Sequence, residues 1–407
     1  MPGAEGRPGT RDAAPVDLGS AYGLAGLLHR RGERLDDYTR ISVNAGRNVV
    51  VSLAGAEGNG VLIKQHRVRS DDRLPAERAV HEQLLGRLTP PAGDDRIFVP
   101  RLLGVRPEDR LLEFELVPGA VSLADRVAGH KASGESGVPA ESGDTARKEG
   151  TAAEGALGAE KSVPVERFAE LGAFIGEFHR RTSSLDVPGV LAAPAVDTER
   201  MQMVDFARLT PEHYAEFSVG ELRLARTVQR DRALTAALAR LSLTIEAHCL
   251  IHGDLRGENV LLPEGADDRM ALIDWELCRF SDPAVDLGYF IGSLLHRVLY
   301  AVRAEHPTVD SWRTAADTRM SAVARMTSGF WQGYRRGAGD FADRLPLLAL
   351  LTMHHAGSTM LSRIAGDLRS TGELTPRDLL VVGIARQLLV DPLSARVRFL
   401  ADPDGAR

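Results

Sequence analysis

Residues 249–292 read CLIHGDLRGENVLLPEGADDRMALIDWELCRFSDPAVDLGYFIG. Two short apolar runs, Cys249 to Ile251 and Val260 to Leu262, bracket a polar stretch from His252 to Asn259, and a third run, Ala271 to Ile273, ends at Asp274. Apolar runs this short, bounded by Gly, Pro and Asp, predict buried strands. The polar stretch is then a loop held at both ends, with its side chains facing one cleft. Taken singly, Asp254 and Asn259 suit turns, because Asx side chains bond their own backbone, and Asp274 suits the end of a strand. Together they form an ordered set: a carboxylate, an amide five positions on, and a second carboxylate behind another buried strand.

The rest of the chain sets the context. With 407 residues and 43% hydrophobic content it can bury a large core divided into two or more lobes. A net charge of -6 leaves no electrostatic footprint for nucleic acid or an anionic membrane, so neither is expected as a partner. The N-terminal stretch has no apolar signal region, and no long uncharged apolar run follows. The two cysteines, Cys249 and Cys278, lie among apolar residues without metal-ligand spacing, which predicts reduced core thiols in a cytoplasmic protein. Of 50 basic residues only four are lysines, and Lys64 is the one outside the low-complexity stretch that holds Lys131, Lys148 and Lys161.

Composition divides the chain. Residues 1–20 are rich in Gly, Ala, Pro and charge and read as a disordered tail, and residues 131–163, without an aromatic side chain, as a flexible insertion. Between Thr39 and His66 two β-branched runs flank AGAEGNG, which predicts a hairpin. A helix is expected after Pro75, with Ala79, Val80, Leu84, Leu85 and Leu88 on one face, followed by strands in VPRLLGV and RLLEFELVPG. Beyond Pro164 the pattern is helical, interrupted by the short strands of the opening stretch. The expected architecture is α+β: a small antiparallel β-sheet N-lobe over 21–117 and a mostly helical C-lobe over 118–407.

Phosphoryl transfer needs the set found in 249–292. One carboxylate orients the attacking hydroxyl and takes its proton, while an amide oxygen and another carboxylate hold Mg2+ on the nucleotide phosphates, hard cations preferring oxygen ligands. In HGDLRGEN, LIDWE and DPAVDLG the chain resembles the aminoglycoside phosphotransferase and choline kinase branch of the protein-kinase-like superfamily. The resemblance implies a bilobal protein-kinase-like fold that binds ATP and Mg2+. It implies Asp254 as catalytic base in a catalytic loop over 250–262, Asn259 and Asp274 as metal ligands, with a metal motif over 271–276, and Asp286 as a buttress of the loop. Arg256 is placed to neutralise charge on the transferred group, or is a surface arginine.

The resemblance extends upstream. It implies that Lys64, ending a strand-like run, pairs the α- and β-phosphates and is held by Glu77 of the following helix, with Glu82 as the rival carboxylate. Gly46 and Asn48 in NAGRNVVV resemble the short nucleotide loop of this branch, although a plain turn fits as well. LLEFELVPG resembles the interlobe hinge, so Glu115 and Val117 would offer backbone groups to adenine. Gly253 stands where regulated protein kinases carry an arginine, and no A-P-E follows, so control through an activation loop is not expected.

The acceptor is less legible. From Ala301 onward 14 arginines face 11 acids, which disfavours a polycationic acceptor. Phe330, Trp331 and Tyr334 suit either a cation–π cage or, at helical spacing, core packing. A hydroxyl-bearing small molecule is expected. HGDLRGEN, IDWEL and IARQLLVDPLSARVRFL are also similar to the kinase-like subunits of class V lanthionine synthetases, which implies a precursor peptide as the alternative acceptor. A nucleotide-binding pseudokinase scaffold is the reading from another class; it has no need of base and metal ligands together.

Overall fold

The computed structural model describes residues 17–18, 21–45, 48–55, 60–67, 73–85, 96–129, 163–185, 189–192, 206, 209–241, 246–263, 269–302 and 308–401. Two compact units divide the chain: Met1–Leu74 with Pro100–Pro118, and Pro75–Val99 with Gly119–Arg407. The helix expected in the N-lobe therefore groups, from Pro75 onward, with the helical unit.

In the first unit the strands β1 (Arg40–Ala45), β2 (Val49–Ala54) and β3 (Gly60–Gln65) form an antiparallel meander. Including β5 (Leu102–Arg106) and β6 (Leu111–Glu115), the sheet order is β1-β2-β3-β6-β5. Alternation along the strands sorts the side chains onto two faces. Val49, Val51, Leu53, Ile63 and Leu111 pack with Leu24, Leu27 and Leu28 of helix α1 (Ala21–Arg31). This helix was absent from the sequence reading; its signal was a leucine triplet at spacings of three and one, enough to cover one sheet face. Glu113, buried on the α1 side, accepts from Arg31 and from Arg106 and so ties helix to sheet. The opposite face buries Leu112 and Phe114 with Leu74. Lys64 pairs in register with Val50 and Leu112, which places it on this second face. Leu18, inside the stretch read as a tail, is buried, and its N–H donates to Gln65 Oε1 at 2.9 Å, so ordered packing starts before Ala21. The insertion read over 131–163 lies outside the described residues apart from Val163, which is buried.

The second unit begins at Pro75, inside α2 (Leu74–Ala79), which widens into a π-helical turn over Val80–Leu85. Its small sheet has the order β4 (Ile97–Phe98), β10 (Met270–Leu272), β9 (Val260–Leu262), β7 (Val121–Ser122). A two-stranded ladder pairs β8 (Cys249–Ile251) with β11 (Arg279–Ser281). The longer helices are α3 (Leu123–Ala128), α4 (Val165–Thr182), α5 (Val219–Arg230), α6 (Arg232–Leu241), α7 (Pro283–Tyr300), α8 (Val309–Ala338), α9 (Leu348–Thr371), α10 (Pro376–Val390) and α11 (Pro392–Leu400). Helix α7 starts where Asp282 caps the Ala284 N–H at 2.8 Å and Pro283 takes the first position, where its missing N–H costs nothing. Nearly all of α7 is buried. Among the described residues no helix is long and apolar enough to cross a membrane.

Two helix seams are lined by glycine. A Cβ built at Gly172 or Gly176 of α4 would lie 2.0 or 2.3 Å from the Phe330 or Tyr334 carbonyl oxygen of α8. From the other side, one at Gly333 or Gly337 would lie 1.9 or 2.0 Å from that of Ala169 or Ala173. Gly288 and Gly292 of α7 meet α9 in the same way, at Thr352 and Ala356. Backbone thus packs on backbone, and a methyl group has no room. Phe330 and Tyr334 are fully buried in this core, which excludes them from a cage open to ligand, while Trp331 is half-buried against it.

Gly333→Ala is expected to force α4 and α8 apart and lower stability by about 1–3 kcal/mol, the usual penalty for overpacking. Gly366→Ala, on α9 with open space around its Cβ, is expected to be neutral or to stabilise by up to about 1 kcal/mol through helix propensity. Urea unfolding of the pair checks both signs.

Candidate functional site

The loop from His252 to Asn259 hangs between β8 and β9, and residues 273–278 connect β10 to β11. The two segments are fastened twice. His252 Nε2 donates to the Ile273 carbonyl at 2.9 Å, and the Ile273 N–H donates to the Asn259 carbonyl at 3.0 Å. Both backbone groups of the residue before Asp274 are therefore committed to the loop that carries Asp254 and Asn259. The Asp254 N–H points at His252 Nδ1, 3.3 Å away, so Nδ1 accepts and Nε2 carries the proton. Burial holds the His252 ring below its ordinary pKa, in keeping with a neutral imidazole in this role. Its ring packs on Trp275, which meets Phe178 edge-on.

Beneath the loop sits Asp286, fully buried on the first turn of α7. Its carboxylate accepts the His252 N–H at 2.7 Å and the Gly253 N–H at 2.8 Å. His179 of α4 adds Nε2 at 3.2 Å, and its Nδ1 lies 3.3 Å from the Tyr334 hydroxyl of α8. Burial alone would raise the Asp286 pKa; the His179 hydrogen bond and charge, with the Gly253 N–H, outweigh it and hold the group below its ordinary value. His179 was missed from sequence. The signal available was a histidine inside the apolar stripe of Phe168, Leu171, Ile175 and Phe178.

Gly253 adopts a φ of +84°, and a Cβ there would lie 2.2 Å from the Leu277 carbonyl oxygen. Glycine is required twice, for the left-handed backbone and for the close approach. An arginine, the residue that regulated protein kinases carry here, has no place in this loop. Asp274 is one of two described non-glycine residues with positive φ, at 67°. Aspartate tolerates that region better than most residues, and such a conformation persists only where surrounding contacts hold it.

Asn259 donates from Nδ2 to the Asp254 carbonyl at 2.8 Å and to Asp254 Oδ2 at 3.0 Å. Two oxygen acceptors fix which end of the amide is nitrogen, so Oδ1 faces away from them. Arg256 Nε lies 3.1 Å from Asp254 Oδ2 in an ion pair, with both side chains partly exposed. Asp254, Arg256 and Asn259 are thus in direct contact, and Asp274 is brought to the same loop through Ile273. Glu77 is almost wholly buried on α2, whereas Glu82 is exposed and accepts from Arg78 Nε at 3.0 Å. In the sheet unit Lys64 is buried on β3, Glu115 ends β6 and accepts from Arg101 Nε at 3.1 Å, and Val117 follows half-buried. Asn48 immediately precedes β2, and Gly46 lies outside the described residues. Cys249 and Cys278 are free and buried, with both thiols pushed up by burial.

A five-stranded antiparallel sheet unit, a helical unit and this fastened loop make an α+β chain of protein-kinase-like fold. The profile of the phosphotransferase enzyme family, APH, matches residues 37–339, and the chain belongs to that family. Several solved structures are similar to the chain. An amicoumacin kinase, solved with AMP-PNP, Ca2+ and Ami, is 14% identical over 87% of this chain and 89% of its own, with a TM-score of 0.48. A microcompartment-associated aminopropanol kinase is 16% identical over 90% and 98%, with a TM-score of 0.48. The choline kinase LicA from Streptococcus pneumoniae is 13% identical over 90% and 98%, with a TM-score of 0.44. No curated protein matches the chain.

Asp286→Asn is expected to lower stability by about 3 kcal/mol, because an amide nitrogen then faces an N–H donor inside the core. Since the folded-state pKa of Asp286 lies below the unfolded value of 3.8, its contribution is complete above that pH and is lost as pH falls through the folded value. Acid unfolding of the parent should therefore begin at lower pH than its loss of exposed carboxylate charge, and the variant should lose this dependence.

Proposed function

We propose that the chain transfers the γ-phosphoryl group of ATP, with Mg2+, to a hydroxyl of a small molecule. The observation that carries this reading is the orientation of Asn259. With Nδ2 committed to Asp254, Oδ1 is the atom left for a ligand, and that amide oxygen with the carboxylate of Asp274, whose neighbour Ile273 is bonded to the Asn259 carbonyl, is a hard-oxygen pair suited to Mg2+. Asn259 and Asp274 would hold the ion, which when bound neutralises charge on the nucleotide phosphates.

Asp254 orients the acceptor hydroxyl and takes its proton. The acceptor oxygen forms the new bond to phosphorus, the bond from phosphorus to the β,γ-bridging oxygen breaks, and ADP leaves with that electron pair. Arg256, paired with Asp254, fixes that carboxylate and adds positive charge beside the transferred group. Lys64, buried on β3, supplies a cation for the α- and β-phosphates, and Glu77 the buried carboxylate that the role of Lys64 calls for. The backbone of Glu115 and Val117, with the turn at Gly46 and Asn48, serves the nucleotide.

Asp254→Asn is expected to keep the fold and nucleotide affinity and to lower turnover by about 10²- to 10⁴-fold, the reach of a lost general base. Undiminished turnover in a coupled ADP-release assay would remove Asp254 from this role. Asp274→Ala is expected to abolish the Mg2+ dependence of nucleotide binding in titration calorimetry, and unchanged metal-dependent affinity would overturn the ligand assignment.

A further inference from the structure

On the flank of the loop, α7 and α9 bring together a polar cluster that the catalytic set does not use. Glu258, the residue before Asn259, accepts from Arg363 Nη2 at 3.0 Å. On the other side of the loop Gly257 lies against Ala124 of α3, whose neighbour Asp125 pairs with Arg297 of α7. His296, beside Arg297, stacks on Tyr300 with ring centroids 4.1 Å apart.

His296 is more than nine-tenths buried, and among the described residues its Nε2 makes no hydrogen bond. The nearest carboxylate oxygen, Asp367 Oδ2, is 3.6 Å away, too far for one. Nor is this an ion pair: burial, aided by Arg363 and Arg297, pushes the ring down to about 3, so it is neutral at working pH. Beside this buried nitrogen the Asp367 side chain is half-exposed, and Arg363, one turn earlier on α9 and paired with Glu258 of the loop, is partly exposed. A buried polar atom without a partner is costly and calls for an explanation.

We propose that His296 and Asp367 form the acceptor subsite and hold one hydroxyl of an uncharged, polyhydroxylated acceptor whose second hydroxyl meets Asp254; this rests on the phosphotransfer reading above. A hydroxyl placed between them accepts from a protonated Nε2 while donating to the carboxylate, or donates to Nε2 in the other tautomer. Charge disfavours an anionic ligand here, since Arg363 is matched by Glu258 and Arg297 by Asp125 and the remaining charged group is the Asp367 carboxylate. A quaternary ammonium would want an aromatic face. Those of Tyr300 are taken, by His296 and by the Arg377 guanidinium 5.4 Å from its centroid.

The test measures ADP release by the full chain with ATP and Mg2+ against neutral polyols and sugars, amino alcohols including choline, and Ser/Thr peptides. Neutral polyols or sugars are expected to be preferred. His296→Leu is expected to raise KM for the best of them about tenfold or more, with kcat and nucleotide affinity changing far less, and His296→Gln, which keeps an amide near Nε2, to recover most of the loss. Should His296→Leu fail to fold, the half-exposed Asp367→Ala decides, with the same rise in KM expected. Unchanged KM in these variants, or preference for an amino alcohol or a peptide, overturns the subsite while leaving phosphotransfer intact. No ADP from any acceptor, with nucleotide bound, overturns both.

Discussion

One buried carboxylate organises the helical unit. Asp286 takes two consecutive backbone N–H groups of the loop and the His179 ring, and it sits on the first turn of the central helix. An unpaired carboxylate at that depth would be prohibitive, so the loop, α4 and α7 must reach it together or not at all. The loop cannot be shaped independently of the core, because its first two amides are the counter-donors of a core residue. The same fastening continues outward, from His252 to Ile273 and from Ile273 to Asn259, so that the backbone carrying Asp254, Asn259 and Asp274 is fixed from both segments.

The glycine seams serve this arrangement. His179 reaches Asp286 and Tyr334 because α4 lies against α8 with backbone on backbone at Gly172, Gly176, Gly333 and Gly337. Side chains of ordinary size in that seam would move the histidine away from the carboxylate, leaving a buried charge with one fewer donor. Packing that looks remote from the loop is therefore a condition of its geometry.

The sequence made part of this legible. The hairpin, the helix after Pro75, the short buried strands and the loop residues all follow from local alternation and spacing, and the Asp254–Asn259 contact spans five positions. Features that depend on residues far apart did not show. Helix α1 has too few apolar residues to stand out until a sheet face waits to receive them. Gly253 read as a departure from regulated kinases, whereas its cause is a carbonyl 24 positions later. Phe330 and Tyr334 carried two readings because aromatic spacing on a helix is the same for a core and for a cage; only burial separates them.

Reaction and acceptor are specified at different ranges of the chain. The atoms that would move a phosphoryl group sit on one backbone loop and its neighbour, so a short motif encodes them. The flanking cluster draws on α7 and α9, which meet at Gly288 and Gly292 against Thr352 and Ala356. One turn beyond Gly292 on the same face comes His296, and beyond Ala356 on α9 come Arg363 and Asp367. Where glycine lines the seam the helices close on each other; where it gives way to these longer side chains, polar atoms meet between them instead. A substitution at 296 or 367 would alter that cluster without touching a strand, a cap or a donor of the loop. Such a fold keeps one chemistry while its acceptor varies, and the acceptor is for that reason the property least visible in any local stretch of sequence.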